Sequence, residues 1–205
     1  MKRGKFIVID GIDGSGKGTV AKKLAAYLFD KDKQNHVFLT REPYISKYRA
    51  RLRNLLKRDG DPKNNGGVFT DLFIKDRKVH AAWIKKELKA GHDVICDRYK
   101  YSTLAYQWAQ GIPIKNLIKK HQGILIPALA VIIDVPVKTA LKRIARDGKR
   151  PYNEIFEQEN FMKLLGKNFL SLSGILKKEN IVVVDGNKNT DAVFRVVKRQ
   201  ADKII

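Results

Sequence analysis

Cysteine is almost missing from the sequence. Cys96 stands alone among 205 residues, so no intramolecular disulfide can form, and its place inside an apolar run reads as a packed thiol in a reducing compartment. Long apolar runs are missing as well: the longest charge-free one, Gly123 to Ile133, has eleven residues and contains Pro127, far short of the roughly 20 that a membrane helix needs. No membrane partner is expected. The start, MKRGKFIVIDG, is basic and then apolar, but it reaches Asp10 after four apolar residues with no small-residue cleavage site behind it, so no signal peptide is expected, and with the lone cysteine a cytoplasmic location is the expectation. Acids are scarce: 21 Asp plus Glu stand against 42 Lys plus Arg, a net charge of +21. That bias favours anionic partners, yet the basic residues form no tail and no block of five or more, so it reads first as a lysine-rich solvated surface. What remains is 43% hydrophobic, enough to bury a core without disulfides or metals, and the length fits one domain over residues 1–205.

Five short apolar runs end in polar or acidic residues: Phe6 to Asp10, Val37 to Thr40, Val94 to Asp97, Val131 to Asp134 and Ile181 to Asp185. Rich in Val and Ile and apolar at nearly every position, they read as strands covered on both faces. Stretches with helical spacing lie between them: Val20, Leu24 and Leu28 after the first run, Ala140, Leu141 and Ile144 after the fourth, and Ala192, Val193, Val196 and Val197 after the fifth. The alternation predicts an α/β fold, a doubly wound five-stranded parallel sheet flanked by helices. Residues 45–92 form a long crossover broken at Gly60 to Gly67, with a helix-like segment from about Phe69 to Ala90. A second irregular region, Arg143 to Glu159, interrupts two helices, and such insertions at strand ends are where lids sit.

Between the first strand and its amphipathic helix lies Gly11-Ile12-Asp13-Gly14-Ser15-Gly16-Lys17-Gly18-Thr19. Glycines let successive backbone N–H groups turn inward toward phosphate oxygens, the following helix offers its positive end, and Lys17 adds a mobile cation. This is a P-loop in its required strand–loop–helix context, and it predicts nucleotide binding. The position after the lysine, where such loops carry a magnesium-binding Ser or Thr, is Gly18, with Thr19 one residue late. The Gly-Lys-Gly-Thr ending resembles that of adenylate and cytidylate kinases, which hold the metal largely through water.

Three further motifs follow: Thr40-Arg41-Glu42-Pro43, Phe73 four residues before Arg77, and Asp97-Arg98-Tyr99 followed by Ser102, Thr103 and Ala105-Tyr106-Gln107. In this order and spacing they resemble the thymidylate kinases over nearly the whole chain, and Val131 to Pro136 and the arginine-rich Arg143 to Arg150 resemble that family's fourth strand and lid (about residues 143–156). The resemblance implies a P-loop nucleoside monophosphate kinase acting on ATP, with Mg²⁺, and dTMP, working as a homodimer through apolar faces near residues 69–90 and 154–176, and needing no nucleic acid. It implies ATP binding by Gly11, Asp13, Gly14, Ser15, Gly16, Lys17, Gly18, Thr19 and Arg143. It assigns Arg41 and Arg98 to the acceptor phosphate, Phe73 and Arg77 to thymine, Asp13 to the sugar 3′-hydroxyl, and Ser102, Thr103 and Tyr106 to the base edge and sugar. Asp97 would orient Arg98 or the metal's water shell. Lys17, Arg98, Arg146 and Arg150 are the implied catalytic cations; Gly14 stands where some members have a P-loop arginine, so the lid would supply the transition-state guanidinium.

The chemistry is coherent with these residue types. A phosphate acceptor is its own nucleophile, so fixed cations are needed and a strong base is not. Taken alone, Phe73 and Arg77 also read as a core ring beside a solvated arginine, and Arg41 and Arg98 as surface arginines. Three other functions compete. A kinase for another monophosphate is suggested by Gly18 and by Tyr44-Ile45-Ser46, which replace the family's glycines and are expected to bulk the wall beside the acceptor. A deoxynucleoside kinase would use Glu42 as base. A non-enzymatic nucleic-acid-binding protein would use the charge but leave the P-loop unexplained.

Overall fold

The computed structural model describes residues 3–32, 34–57, 60–146 and 155–205. In chain order the elements are β1 (Phe6–Gly11), α1 (Lys17–Lys31), β2 (Val37–Arg41), α2 (Arg49–Leu56), α3 (Gly66–Lys89), β3 (Asp93–Asp97), α4 (Lys100–Ala109), α5 (Ile114–Lys120), β4 (Leu129–Asp134), α6 (Val137–Arg146), α7 (Glu159–Ile175), β5 (Ile181–Asp185) and α8 (Thr190–Asp202). The five strands form one parallel sheet in the order β2-β3-β1-β4-β5. α1 and α8 pack together on one face, while α3, α4 and α7 cover the other.

The three inner strands match the continuous apolar pattern: β1, β3 and β4 are buried almost throughout, and each fully buried Ile or Val contributes roughly 1.5–3 kcal/mol. The edge strands do not match it. In β2, Phe38 and Leu39 are exposed, and in β5 only Val184 is buried, because a strand with one neighbour also has a solvated border. On α1 the buried stripe is Val20, Leu24 and Leu28, as its spacing predicts; on α8 it is Val193, Val197 and Ala201, with Val196 turned outward. The long crossover holds two helices, α2 being one that apolar spacing alone did not reveal, since only its Leu52 is fully buried.

Registry puts the strand ends level. Asp97 lies beside Ile9 of β1 and Arg41 of β2, and Gly11 lies beside Ile133 of β4. The P-loop therefore leaves the central strand with the motif after β3 on one side and α6 on the other, at the carboxyl edge where open α/β sheets bind ligands. The most deeply buried charge of this layer belongs to the central strand. Asp10, fully buried in β1, accepts from Gly11 N at 2.9 Å, Tyr99 N at 3.1 Å, Ser102 N at 2.9 Å and Ser102 Oγ at 2.6 Å. Four donors replace the water that the carboxylate loses, which ties the β3–α4 turn to the root of the P-loop.

Candidate active site

A cleft of about 600 Å³ opens over the strand ends, reaching from the P-loop to α3, α4 and Phe156. It collects Asp13, Gly14, Gly16, Lys17, Gly18, Thr19, Arg41, Phe73, Arg77, Asp97, Arg98, Ser102, Thr103, Tyr106 and Arg143, residues scattered over most of the sequence. Gly11 and Ser15 lie beneath the loop and not on the cleft wall, and Arg146 stands exposed in the last turn of α6, also off the wall. Arg150 lies outside the described residues, as does most of the expected lid.

Backbone geometry explains the loop's glycines. Gly14 has φ +74°, and a Cβ there would meet the Ala140 carbonyl oxygen of α6 at 2.3 Å, so no side chain fits. Arg143, one turn along α6, donates to the carbonyls of Ser15 at 3.4 Å and Gly186 at 3.1 Å, anchoring α6 against the loop. At Gly18 a Cβ would come within 3.2 Å of Asp97 Oδ2 and 3.4 Å of Arg41 Nη2. The missing side chain lets the Arg41–Asp97 ion pair lie on the first turn of α1; Arg41 Nε donates to Asp97 Oδ2 at 3.0 Å. Asp97 thus holds Arg41 and not Arg98, the first of the two partners expected for it, the other being the metal's water shell.

Arg98 is held by a different set. With φ +72°, uncommon for a residue with a Cβ, it aims back over the P-loop, where Nη2 donates to Asp13 Oδ1 and Nη1 to Ser102 Oγ at 3.1 Å. Tyr106 donates its hydroxyl to Asp13 Oδ2 at 2.9 Å, and its ring lies 5.5 Å from the Arg98 guanidinium carbon. Burial, ahead of the Asp13 charge, keeps this phenol protonated and a donor. Lys17 reaches Ile12 O at 3.2 Å and Asp13 Oδ1 at 3.4 Å, and burial followed by the Arg98 charge lowers its pKa.

The far end of the cleft is a ring beside a constrained cation. Phe73 is half-buried, stacked on Phe69 at 6.0 Å, and presents its other side to the cleft. Arg77 is no solvated arginine: it is 1% exposed and pairs with Glu42, Nε and Nη2 both donating to Oε2 at 2.8 and 2.6 Å. Nη2 also donates to Thr103 Oγ1 at 3.0 Å, and Nη1 to His121 Nε2 at 3.0 Å. His121 can accept there because its Nδ1–H donates to Leu117 O at 2.7 Å. Four of the five guanidinium N–H groups are taken, leaving one on Nη1 for a ligand. Glu42 is used up as well, since His80 Nδ1 meets its other oxygen at 3.2 Å, so it is no open base. Tyr44 does not bulk the acceptor wall either: its ring stacks on His80 at 4.3 Å, away from this cleft, and its N–H donates to Asp76 at 2.7 Å.

Comparison with known proteins identifies the family. The family model for thymidylate kinase matches residues 9–197. The chain belongs to the thymidylate kinase family. It is 38% identical over 185 residues to a protein of Pyrococcus horikoshii named "probable thymidylate kinase", covering 88% of each chain. A relative of the same name in Thermococcus onnurineus is 40% identical over 172 residues, 78% of this chain and 83% of its own. One in Methanococcus maripaludis is 36% identical over 207 residues, 98% of this chain and 96% of its own. The residues the sequence did not single out are those acting from below: Asp10 under Arg98, and His121 behind Arg77.

His121 yields a pH prediction. Burial, followed by the Arg77 charge, lowers its pKa from 6.5 to about 3, so the folded state binds fewer protons there than the unfolded chain does. Its contribution is complete above pH 6.5 and is lost as pH falls toward 3. Unfolding titrations of the wild type and His121→Asn should therefore differ in slope: relative to the variant, the wild type loses about 3 kcal/mol between pH 7 and pH 4. Parallel curves would show that His121 takes up its proton in the fold as readily as in the unfolded chain.

Proposed function

We propose that this chain transfers the γ-phosphoryl group of ATP to dTMP, giving dTDP and ADP. The observation that carries the reading is the single cleft joining the Lys17 P-loop to a ring, Phe73, and a guanidinium, Arg77, with Arg98 between the two ends. A phosphate oxygen of dTMP attacks the γ-phosphorus as the bond to the ADP oxygen breaks, and the leaving electron pair stays on ADP. No group on the protein has to take a proton; the side chains position reactants and offset charge. Arg98, fixed on Asp13, Ser102 and the Tyr106 ring, faces the acceptor phosphate together with Arg41. Lys17 stabilises charge on the transferring group, together with a lid guanidinium from Arg146 or Arg150.

Mg²⁺ is supplied with ATP and neutralises phosphate charge. Among the described residues no group of three or more His, Cys, Asp or Glu is placed to hold a metal, while Asp97 Oδ1 is buried without a hydrogen-bond partner beside Gly18 and Thr19. One free carboxylate oxygen next to a phosphate site suits an ion that keeps most of its water.

The base is chosen by polarity. The one spare N–H of Arg77 is a donor, so a base with a carbonyl at that edge is accepted and one with an amino group sets donor against donor. In a monophosphate panel with ATP and Mg²⁺, kcat/KM should be highest for dTMP and lower by about tenfold or more for dCMP, the effect of one mismatched buried polar contact. Lys17→Ala should lower kcat by orders of magnitude in a folded protein. Preference for another base, or near-normal turnover without Lys17, would contradict the reading.

The reading treats the chain as one kinase domain with its lid at about residues 143–156, working in the cytoplasm as a homodimer. Among the described residues no helix is long and apolar enough to cross a membrane. Exposed Val79 on α3, and Leu164, Leu170 and Ile175 on α7, are apolar surfaces on the helices where the resemblance puts the partner. Light scattering at micromolar concentration should return twice the 23.4 kDa chain mass; the chain mass itself would reject the dimer.

A further inference from the structure

A second cleft, of about 400 Å³, lies on the other side of the Arg41–Asp97 pair, between α1, the end of β2 and α2. Its size is within the range of small-ligand sites. Lys22, Arg41, Arg49 and Arg53 line it, Arg41 and Arg53 facing the first cleft as well, and its single carboxylate, Asp97, already holds Arg41. Arg49 and Arg53 are four apart on α2 and so share a face, across from Lys22 on α1. Among the described residues, the side chains of Lys22, Arg49 and Arg53 have no hydrogen bond or ion pair, and Arg49 Nε is buried without a partner. A buried donor left unmatched beside two more unpaired cations is costly unless an anion completes it. The opposite wall is apolar, with Leu39 44% and Ile45 77% exposed.

We propose that this cleft is a second nucleotide site, binding a nucleoside polyphosphate with its phosphates among Lys22, Arg49 and Arg53 and its nucleoside against Leu39 and Ile45. Several like charges on one wall call for a chain of phosphates more than for a single carboxylate, and the exposed apolar wall gives the rest of the molecule a surface to cover. The clefts share Gly18, Arg41, Pro43, Arg53 and Asp97 as a common wall, which sets the two ligands side by side, with Lys22 and Arg49 belonging to the second cleft alone. Neither Lys22 nor Arg49 faces the first cleft, so the two sites can be altered separately.

The test is calorimetric titration of the non-hydrolysable ATP analogue AMPPNP with Mg²⁺ into enzyme saturated with dTMP. Two AMPPNP sites per chain are expected. In the double variant Lys22→Ala/Arg49→Ala the first site should keep its affinity, the second should weaken by about tenfold or more, and kcat and the KM for dTMP at low ATP should not change. Inorganic tripolyphosphate, competing for the second site, should bind several-fold more weakly than AMPPNP. A single AMPPNP site in the wild type, or a second one that survives the double substitution, would overturn the proposal; tripolyphosphate binding as tightly as AMPPNP would overturn the nucleoside part. The preliminary dTMP titration reads the acceptor site by itself, and the double variant locates the second site whichever monophosphate fills the first.

Discussion

A carboxylate with no access to water, at the end of a central strand, fixes the geometry on which the cleft depends. Asp10 is in the apolar layer only because four donors converge on it, and two of them, Tyr99 N and Ser102 N, open the helix after β3. Burial raises its pKa, opposed by the nearby Arg98 charge and by those donors. The turn it grips is the one that must hold Arg98 at positive φ. Ser102 carries the constraint forward: its hydroxyl donates to Asp10 and accepts from Arg98. Strand, turn and guanidinium are therefore one hydrogen-bonded unit.

The same arrangement is repeated around the cleft. Four cations of the cleft are paired with carboxylates that set their direction: Arg98 and Lys17 with Asp13, Arg41 with Asp97, Arg77 with Glu42. A pair as buried as Arg77–Glu42 is weak ground for claiming stability, since desolvation offsets much of the attraction, and the exposed Arg41 gains little from its own. Their physical use is in orientation, because guanidinium groups already aimed need little reorganisation when a phosphate arrives. The glycines follow from the same packing. Gly14 is pressed by the α6 backbone, so the loop cannot carry an arginine there, and a side chain at Gly18 would have to push the Arg41–Asp97 pair aside by a few tenths of an ångström.

Local patterns in the sequence were enough to reveal the inner strands, the P-loop and the four-residue spacing of Phe73 and Arg77, since each is a short-range consequence of hydrogen-bond period and side-chain type. Edge strands were not fully legible, because whether a Val-rich run has one neighbour or two depends on topology. Nor were pairings across long separations. Nothing near Tyr44 announces that its ring will stack on His80, and nothing near Asp97 says that Arg41, and not the adjacent Arg98, will be its partner. His121 carries no motif at all; it matters because α5 ends behind Arg77. Family resemblance supplied the list of cleft residues, and the fold supplied their partners.

The account stands most directly on the link from Asp10 to Arg98, and Asp10→Asn tests it. The amide keeps the size of the side chain but turns one of two acceptor oxygens into a donor facing donors, a loss of roughly 1–3 kcal/mol that falls on the β3–α4 turn. Binding of dTMP and of AMPPNP to the folded variant, measured by calorimetry, should separate: dTMP affinity falls by about tenfold while AMPPNP affinity at the P-loop site changes little. Unchanged dTMP affinity in a folded Asp10→Asn protein would contradict the claim that this buried carboxylate sets the acceptor site.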